Sequence, residues 1–505
     1  MHLELMCHSK SDSTMKKLQL LSLLIVLQLF GCSDFLDVNP QSELTQESFP
    51  TTAADALLAT NAAYSTLRNW SYHSGGFPIL DIMSDDTQKG SNPDDGINTI
   101  GPFDNFTLLA NQDGLDRWWA TLYQGVRYAN VVIEFVPEIA MPESIKNRYL
   151  GEALFLRGLY YFDLVRAWGD VPLVTSATAP LSLARTDVAT IYAQIEDDLT
   201  RASSLLPKKD AYEANDLGRA TQGAAKSLLA KVYLFQNDFA KAEPLLLEVI
   251  NSGNYDLEPN FEDANGRDGE HGVESILEVG AVEVQSSIGN QYANTQGVRG
   301  TPNRGWGFNR PTINLREAFE NGDPRKDASI IELGDVLDGI TILGDGVTPD
   351  ETKDEQGRVI EIESYNQKIW IPGLATDTQF GHNRRILRFA DVLLMAAEAL
   401  NENGKSAQAL PHLNRVRERA RAGNMAILPA ITEQNQSMLR ALILQERRVE
   451  LAMEGHRFWD LVRTGNAAEV LGPLGFQSAK HELLPIPQNE IDISLGVLTQ
   501  NPNWN

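Results

Sequence analysis

Cysteine is nearly missing from this chain, with two among 505 residues, Cys7 and Cys32. So few exclude a disulfide framework and a thiolate metal cage. Histidine is scarce too, and His73, His271, His382, His412, His456 and His481 stand far apart. None lies in an HExxH or comparable metal-binding spacing. The chain also lacks a GxSxG elbow, a P-loop and a GxGxxG after a strand, so the common catalytic frameworks are absent. Positive charge is short, 43 Lys and Arg against 68 Asp and Glu, for a net −25. Nucleic-acid binding needs clustered cations against phosphate and is excluded as a role. Lying flat on an anionic lipid surface is disfavoured for the same reason. A membrane-spanning helix is not evident either. The apolar run at residues 18–30 reaches only about 20 Å at helical rise, short of the roughly 30 Å hydrocarbon core of a bilayer.

What that run does offer is an export signal. Met15-Lys16-Lys17 supplies a positive start, and Leu29-Phe30-Gly31-Cys32 closes the apolar stretch. A small residue before a cysteine is what lipoprotein processing needs, although Phe30 is bulkier than usual at its place. The expected mature protein begins at Cys32 and carries acyl chains there, and two or more such chains hold a protein durably on a membrane. A plain signal peptide ending near Cys32 is the alternative. Residues 1–14 precede a natural start at Met15 and read as an over-long gene start that takes Cys7 with it. Residues 1–31 are thus upstream sequence and signal peptide. Residues 32–505 form the body, long enough for one large or two ordinary domains held by core packing alone.

Beyond a short polar tether after Cys32, the periodicity is mostly helical. Residues 52–70 place Ala, Leu and Tyr at helical spacing. Asp116 is a plausible N-cap for a helix through Val136, ended by Pro137, and another helix is expected from about Pro142 to Trp168. A tetratricopeptide-like pattern follows. Leu229-Ala230, Tyr233, Asn237-Asp238-Phe239, Ala242, Leu246 and Val249 supply knobs, turn and knobs. The spacing returns at Ala396-Ala397, Leu400, Gly404, Ala409, Leu413 and Val416, and a split copy joins Gly158 and Tyr161 to Ala202, Leu205 and Pro207. The expected fold class is therefore all-α, a helical-repeat scaffold over about 45–250 and 385–465, with a tail at 466–505. Ordinary amphipathic helix pairs remain the alternative to a true repeat. Between the helical blocks, about residues 251–384 are rich in Gly, Asn, Asp and Pro and read as a large irregular insertion. Its short apolar runs fall at 275–279 and 368–371. Residues 71–113 share that texture and are expected to join the same face, where function usually sits.

Two groups of residues carry possible chemistry. Glu446, Glu450 and Glu454 fall four apart on one helix face, and a surface glycoside hydrolase using Glu450 or Glu454 is one reading. Arg447, Arg448, His456 and Arg457 interleave with them. Carboxylates paired with arginine stay ionised, while a glycosidase needs one protonated acid, so an ion-pair network locking two helices is the preferred reading. The second group is aromatic. Sugar rings stack apolar C–H faces on flat side chains while polar neighbours bond their hydroxyls. Trp70, Tyr72, Phe103, Phe106, Tyr292, Arg304, Trp306 and Phe308 are the candidate ligand residues, set among Gly, Asn and Asp. Trp118, Trp119, Trp168 and Trp459 lie in helical runs and are read as core. The acidic loop Asn92-Pro93-Asp94-Asp95-Gly96 has oxygen ligands but not EF-hand spacing, and is read as a solvated turn rather than a calcium site. No metal and no cofactor are expected.

Several runs together resemble the SusD/RagB family of outer-membrane nutrient-binding lipoproteins. They are Cys32-Ser33-Asp34-Phe35-Leu36-Asp37, Glu152-Ala153-Leu154-Phe155-Leu156-Arg157, Tyr160-Tyr161-Phe162-Asp163-Leu164-Val165 and Asp323-Pro324-Arg325. Arg388-Phe389-Ala390-Asp391, residues 446–463 and Leu484-Pro485-Ile486-Pro487 complete the set, in family order along the whole expected mature chain. The resemblance implies four tetratricopeptide-like helix pairs, an irregular ligand-binding subdomain and lipid anchoring through Cys32 on the outer face of the outer membrane. It also implies a partner, a SusC-like TonB-dependent transporter, to which a glycan or oligosaccharide is delivered uncleaved. A peptide ligand, in the same lid or in a helical adaptor groove, is the rival reading. Ligand residues do not carry over position by position, because the family's binding loops differ with the ligand. Asp492-Ile493-Ser494-Leu495-Gly496 departs from the family's expected Asn-Pro turn near the C-terminus.

Overall fold

The computed structural model describes residues 49–73, 81–180, 182–283, 289–373, 376 and 381–504. The signal peptide, Cys32 and the tether therefore lie outside the described residues. The chain divides into two compact units, Met1–Thr51 and Thr52–Asn505. Only residues 49–51 of the first are described.

Helix α1, Ala53–Ser65, starts at a capping box in which the Thr52 side chain accepts from the Asp55 N–H and Asp55 answers to the Thr52 N–H. Helix α2 is Asp113–Phe135, with Gln112 at its N-cap. Asp116 is therefore not the cap; it lies in the first turn, where a carboxylate still favours the positive end of the helix dipole. Helix α3, Glu143–Trp168, is capped by Pro142 and stopped by Gly169 at φ 72°. From Tyr149 onward nearly every one of its side chains is buried, so it shows no polar stripe. Helix α4 is Val188–Leu205, with Asp187 as cap.

The two clear repeats form as helix pairs. Helices α5, Gln222–Phe235, and α6, Phe239–Ile250, flank the turn at Asn237, whose φ is 58°, and the Asp238 side chain caps α6. Helices α7, Phe389–Glu402, and α8, Ser406–Ala420, flank Gly404 at φ 74°. Pro244 and Pro411 sit at matching places in the second helices. Ala230, Ala242, Ala396 and Ala409 are fully buried, because small side chains let the paired helices approach closely. Each helix from α1 to α8 packs on the next, giving four stacked pairs, and α9, Gln436–Glu450, lies on α7. A short α10, Arg457–Arg463, follows.

The four tryptophans in helical runs are core, as expected. Trp118, Trp119, Trp168 and Trp459 are at most 3% exposed, and the Trp168 ring lies 5.0 Å from Trp118 and 5.1 Å from Trp119. Arg157 makes a two-pronged contact to Asp198 and a third bond to Asn130, tying α2, α3 and α4 together. The tail returns to α3: Asn501 donates to the carbonyls of Trp168 and Leu484, and Trp168 Nε1 donates to Pro485.

The irregular part is built from short strands: β1 Thr87–Gly90, β2 Ser275–Val279, β3 Phe308–Pro311, β4 Ile330–Glu332, β5 Ser364–Asn366 and β6 Arg384–Arg388. They pair antiparallel as β1 with β3, β2 with β6 and β4 with β5, and two small hairpins lie between β4 and β5 in sequence. The β1–β3 ladder joins the region before α2 to the insertion. The run at 275–279 forms β2, whereas residues 368–371 form no strand. Strand β6 runs directly into α7, so the irregular part is fastened to the fourth helix pair without a linker.

Candidate ligand-binding site

Residues 297–309 form a loop folded back on itself. Arg304 N–H donates to the Val298 carbonyl at 2.8 Å, Trp306 N–H to Asn294 at 2.7 Å and Gly307 N–H to Gly297 at 3.0 Å. The two limbs touch at Gly297 and Gly305, where a Cβ on Gly305 would lie 2.5 Å from the Gly297 Cα. No other residue fits there. Gly307 then turns at φ 72° into β3 and accepts from the Ser91 N–H. This fold holds Trp306 half-buried, with Phe308 half-buried beyond it. Arg304 lies over the Trp370 ring, 4.0 Å from its centre, and donates to the Ile371 carbonyl. Trp370 Nε1 donates to Asp338. Ala293, Asn294, Gly297, Val298, Arg304 and Trp370 line a small cleft beside them. Arg299 ties the face together through Ser91, Asp95 and Asp345. Flat rings beside guanidinium, amide and carboxylate groups are what a sugar needs, since its ring faces are apolar and its edges are hydroxyls.

Of the residues expected from sequence, Arg304, Trp306 and Phe308 lie on this loop; Trp306 and Phe308 keep exposed surface, whereas Arg304 is 6% exposed and its guanidinium is taken by Trp370 and the Ile371 carbonyl. Tyr72, Phe103 and Tyr292 do not join them, and this corrects the expectation: they are 2%, 0% and 6% exposed, and a buried ring has no face for a ligand. Tyr72 donates to Asp163 and packs edge-on to Tyr160. Tyr292 lies under the Arg384 guanidinium and against His382. Phe103 belongs to the main core, and so does Phe106, which packs on Phe458, Phe476 and His481. Trp70 is half-buried, with Arg117 over one face. Sequence reasoning passed over Arg299, which braces this loop, because nothing local marks it; Trp370 is buried beneath Arg304 and supports the loop from below.

The three glutamates form the expected ion-pair network, but they do not share one helix face: α9 ends at Glu450 and Glu454 lies past it, after Met453 at φ 63°, and the network reaches well beyond two helices. Glu450 accepts from Arg388 at 2.7 Å, Arg325 at 3.1 Å and Arg419. Glu454 binds Arg388 and Lys368, and Glu446 binds Arg325 and Arg417. The network thus joins α8, α9, β6, the turn at Asp323 and the loop at Lys368. Burial by itself would raise these carboxyls, yet Arg419, Arg388 and Arg325 hold Glu450 well below the usual range. Arg388 and Lys368 hold Glu454 at about 2. Neither is a protonated acid at neutral pH.

These shifts predict a pH profile. Glu450 and Glu454 are depressed, so their stabilisation is complete above the unfolded carboxyl value of about 4.3 and is lost as pH falls through about 2. Asp81 and Glu152 have the opposite sign, because burial pushes both up to about 7. Their contribution is complete below the unfolded value and fades as pH rises through 7. Between pH 4 and 7 the loss from Asp81 and Glu152 is opposed by His382 and His481, which burial lowers to about 4 and which add stability as pH rises through the unfolded imidazole value of about 6.5. The urea midpoint followed by circular dichroism should therefore fall chiefly as pH drops from about 4 to about 2, and a midpoint unchanged over that range would contradict the role of the glutamates.

Comparison with known proteins agrees with this architecture. Residues 251–475 match the family model described as the SusD family, and residues 34–234 match one described as starch-binding associating with outer membrane. SusD-like protein P2 of Formosa agariphila is 29% identical over 97% of this chain and all of its own. A SusD-like protein of Bacteroides ovatus is 28% identical over 88% of this chain and 82% of its own. Among solved structures, surface glycan-binding protein A from Bacteroides thetaiotaomicron in complex with laminarihexaose superposes with a TM-score of 0.74 at 26% identity, covering 89% of this chain and 100% of its own. A laminarin-binding SusD-like protein gives a TM-score of 0.75 at 31% identity over 90% of this chain and all of its own. Matched in order by both models and by whole-length relatives, this chain belongs to the SusD family.

Proposed function

We propose that the protein is a lipid-anchored cell-surface glycan-binding protein that hands its ligand, uncleaved, to a SusC-like TonB-dependent outer-membrane transporter. The observation that carries this is Trp306, a half-buried indole on a loop held by main-chain bonds, with the half-buried Phe308 two residues on. Two structural relatives are likewise named for glycan binding. Delivery without cleavage is supported by Glu450 and Glu454, whose oxygens are taken by arginine and lysine. Anchoring rests on Gly31-Cys32 at the end of the export signal. No cofactor enters this reading.

The test is purification of tagged protein from detergent-solubilised outer membranes with mass spectrometry of what accompanies it. A large β-barrel transporter in near-equal amount is the expected result; recovery of soluble periplasmic proteins alone would favour the peptide-adaptor reading. Radiolabelled palmitate should enter the parent and Cys32→Ala should take up none, because no other cysteine follows the export signal. Equal labelling of the variant would oppose lipidation at this residue.

A further inference from the structure

Residues 89–96, next to the Trp306 loop, surround a charge that the proposed function leaves unused. The chain passes through left-handed conformations at Gly90, Ser91 and Gly96, with φ of 71°, 56° and 64°, and three of its carbonyls converge on one point. The Lys89 ammonium sits there, donating to Gly90 O at 2.9 Å, Asn92 O at 2.9 Å and Asp95 O at 2.7 Å. An ammonium has three N–H donors and no acceptor, so each donor has one carbonyl. Main-chain carbonyl oxygens are also among the ligands that a hard cation such as calcium takes. The same loop delivers Ser91 and Asp95 to Arg299, which also pairs with Asp345. Arg299 belongs to the 297–309 loop, and Ser91 N–H donates to Gly307 beside Trp306.

We infer that this loop is folded around a built-in cation: the Lys89 ammonium takes the place a bound metal ion would hold, and it positions the loop against which Trp306 is set. The ligand face is then assembled without metal. This extends the proposed function by naming a positioning residue for the same site, and it rests on that reading only for its effect on ligand.

The test reads the loop directly. Glu-C protease cleaves after Asp94 or Asp95 only when the loop opens. Lys89→Ala should be cut there about tenfold faster than the parent, since cleavage follows the population of the open form. Lys89→Met, which keeps the apolar stem and deletes the donors, should behave likewise with an unchanged urea midpoint. Propylammonium chloride, which replaces the missing stem and charge, should restore protection to Lys89→Ala, and tetramethylammonium chloride at equal concentration should not. The parent should keep its protection in EDTA. The inference is overturned if either variant is cut no faster than the parent, or if EDTA opens the parent loop. Laminarihexaose and a panel of other oligosaccharides are then titrated onto the parent and Lys89→Ala. Weaker binding to the variant extends the inference to the ligand. If the parent binds none of them while the protease result stands, the glycan reading falls and the loop inference survives.

Discussion

Glu450→Ala is expected to lower the unfolding free energy by about 3–5 kcal/mol, the usual cost of breaking a buried ion pair from one side. The side chain is wholly buried and serves Arg388, Arg325 and Arg419 at once. Removing it leaves three guanidinium groups short of a counter-charge in a site water cannot reach. Since whole proteins are stable by only about 5–15 kcal/mol, the variant should show a much lower urea midpoint and poor soluble yield. Glu450→Gln keeps the shape and should fall between the two. The rival use of Glu450, as a hydrolase carboxylate, predicts something different: a folded variant with full stability and lost turnover. An unchanged midpoint in Glu450→Ala would dismiss the structural role.

Trp306→Ala should cost about 2 kcal/mol in glycan binding, roughly 30-fold in Kd, as for a central aromatic anchor. Its fold should survive, because the ring is only half-buried and the loop is held by main-chain bonds at Arg304, Trp306 and Gly307. Phe103→Ala is the matching control. That ring is completely buried, so its loss should cost about 3–5 kcal/mol of stability and leave binding intact in whatever fraction stays folded. Calorimetric titration with laminarihexaose, beside thermal unfolding, separates the two. If Trp306→Ala binds as the parent does, the ligand lies elsewhere.

The helical scaffold was readable because its signals are local. Ala230 and Ala242 mark the close contact of one pair, Asn237 and Asp238 its turn, and both fall where the spacing puts them. The tight loop at Trp306 was readable for a related reason: glycines stand on either side of the ring, and Gly305 and Gly307 make the turn. Tyr292 and Phe103 have equally polar neighbours in sequence, yet both are buried. What buries Tyr292 is Arg384 and His382, far along the chain, and nothing near Tyr292 announces them. Glu446 and Glu450 showed their shared face through four-residue spacing, but Glu454 falls past the end of the helix, and the partners Arg325, Arg388 and Lys368 come from three separate segments. Asp116 was a reasonable cap by residue type; the helix simply begins one turn earlier.

The bonds from Asn501 to the carbonyls of Trp168 and Leu484 bear on how the molecule comes apart. A stack of helix pairs that touch only their neighbours behaves as a linear array, in which end units fray alone and stability adds piece by piece. Here the last residues of the chain are sewn to the second pair, and Arg185 strengthens the seam through the carbonyls of Thr499 and Gln500. The array is thereby closed on one side, so the tail cannot peel away without exposing the buried end of α3. Melting from the C-terminus is coupled to melting from the middle, and a modular repeat acquires the all-or-none character of a globular core.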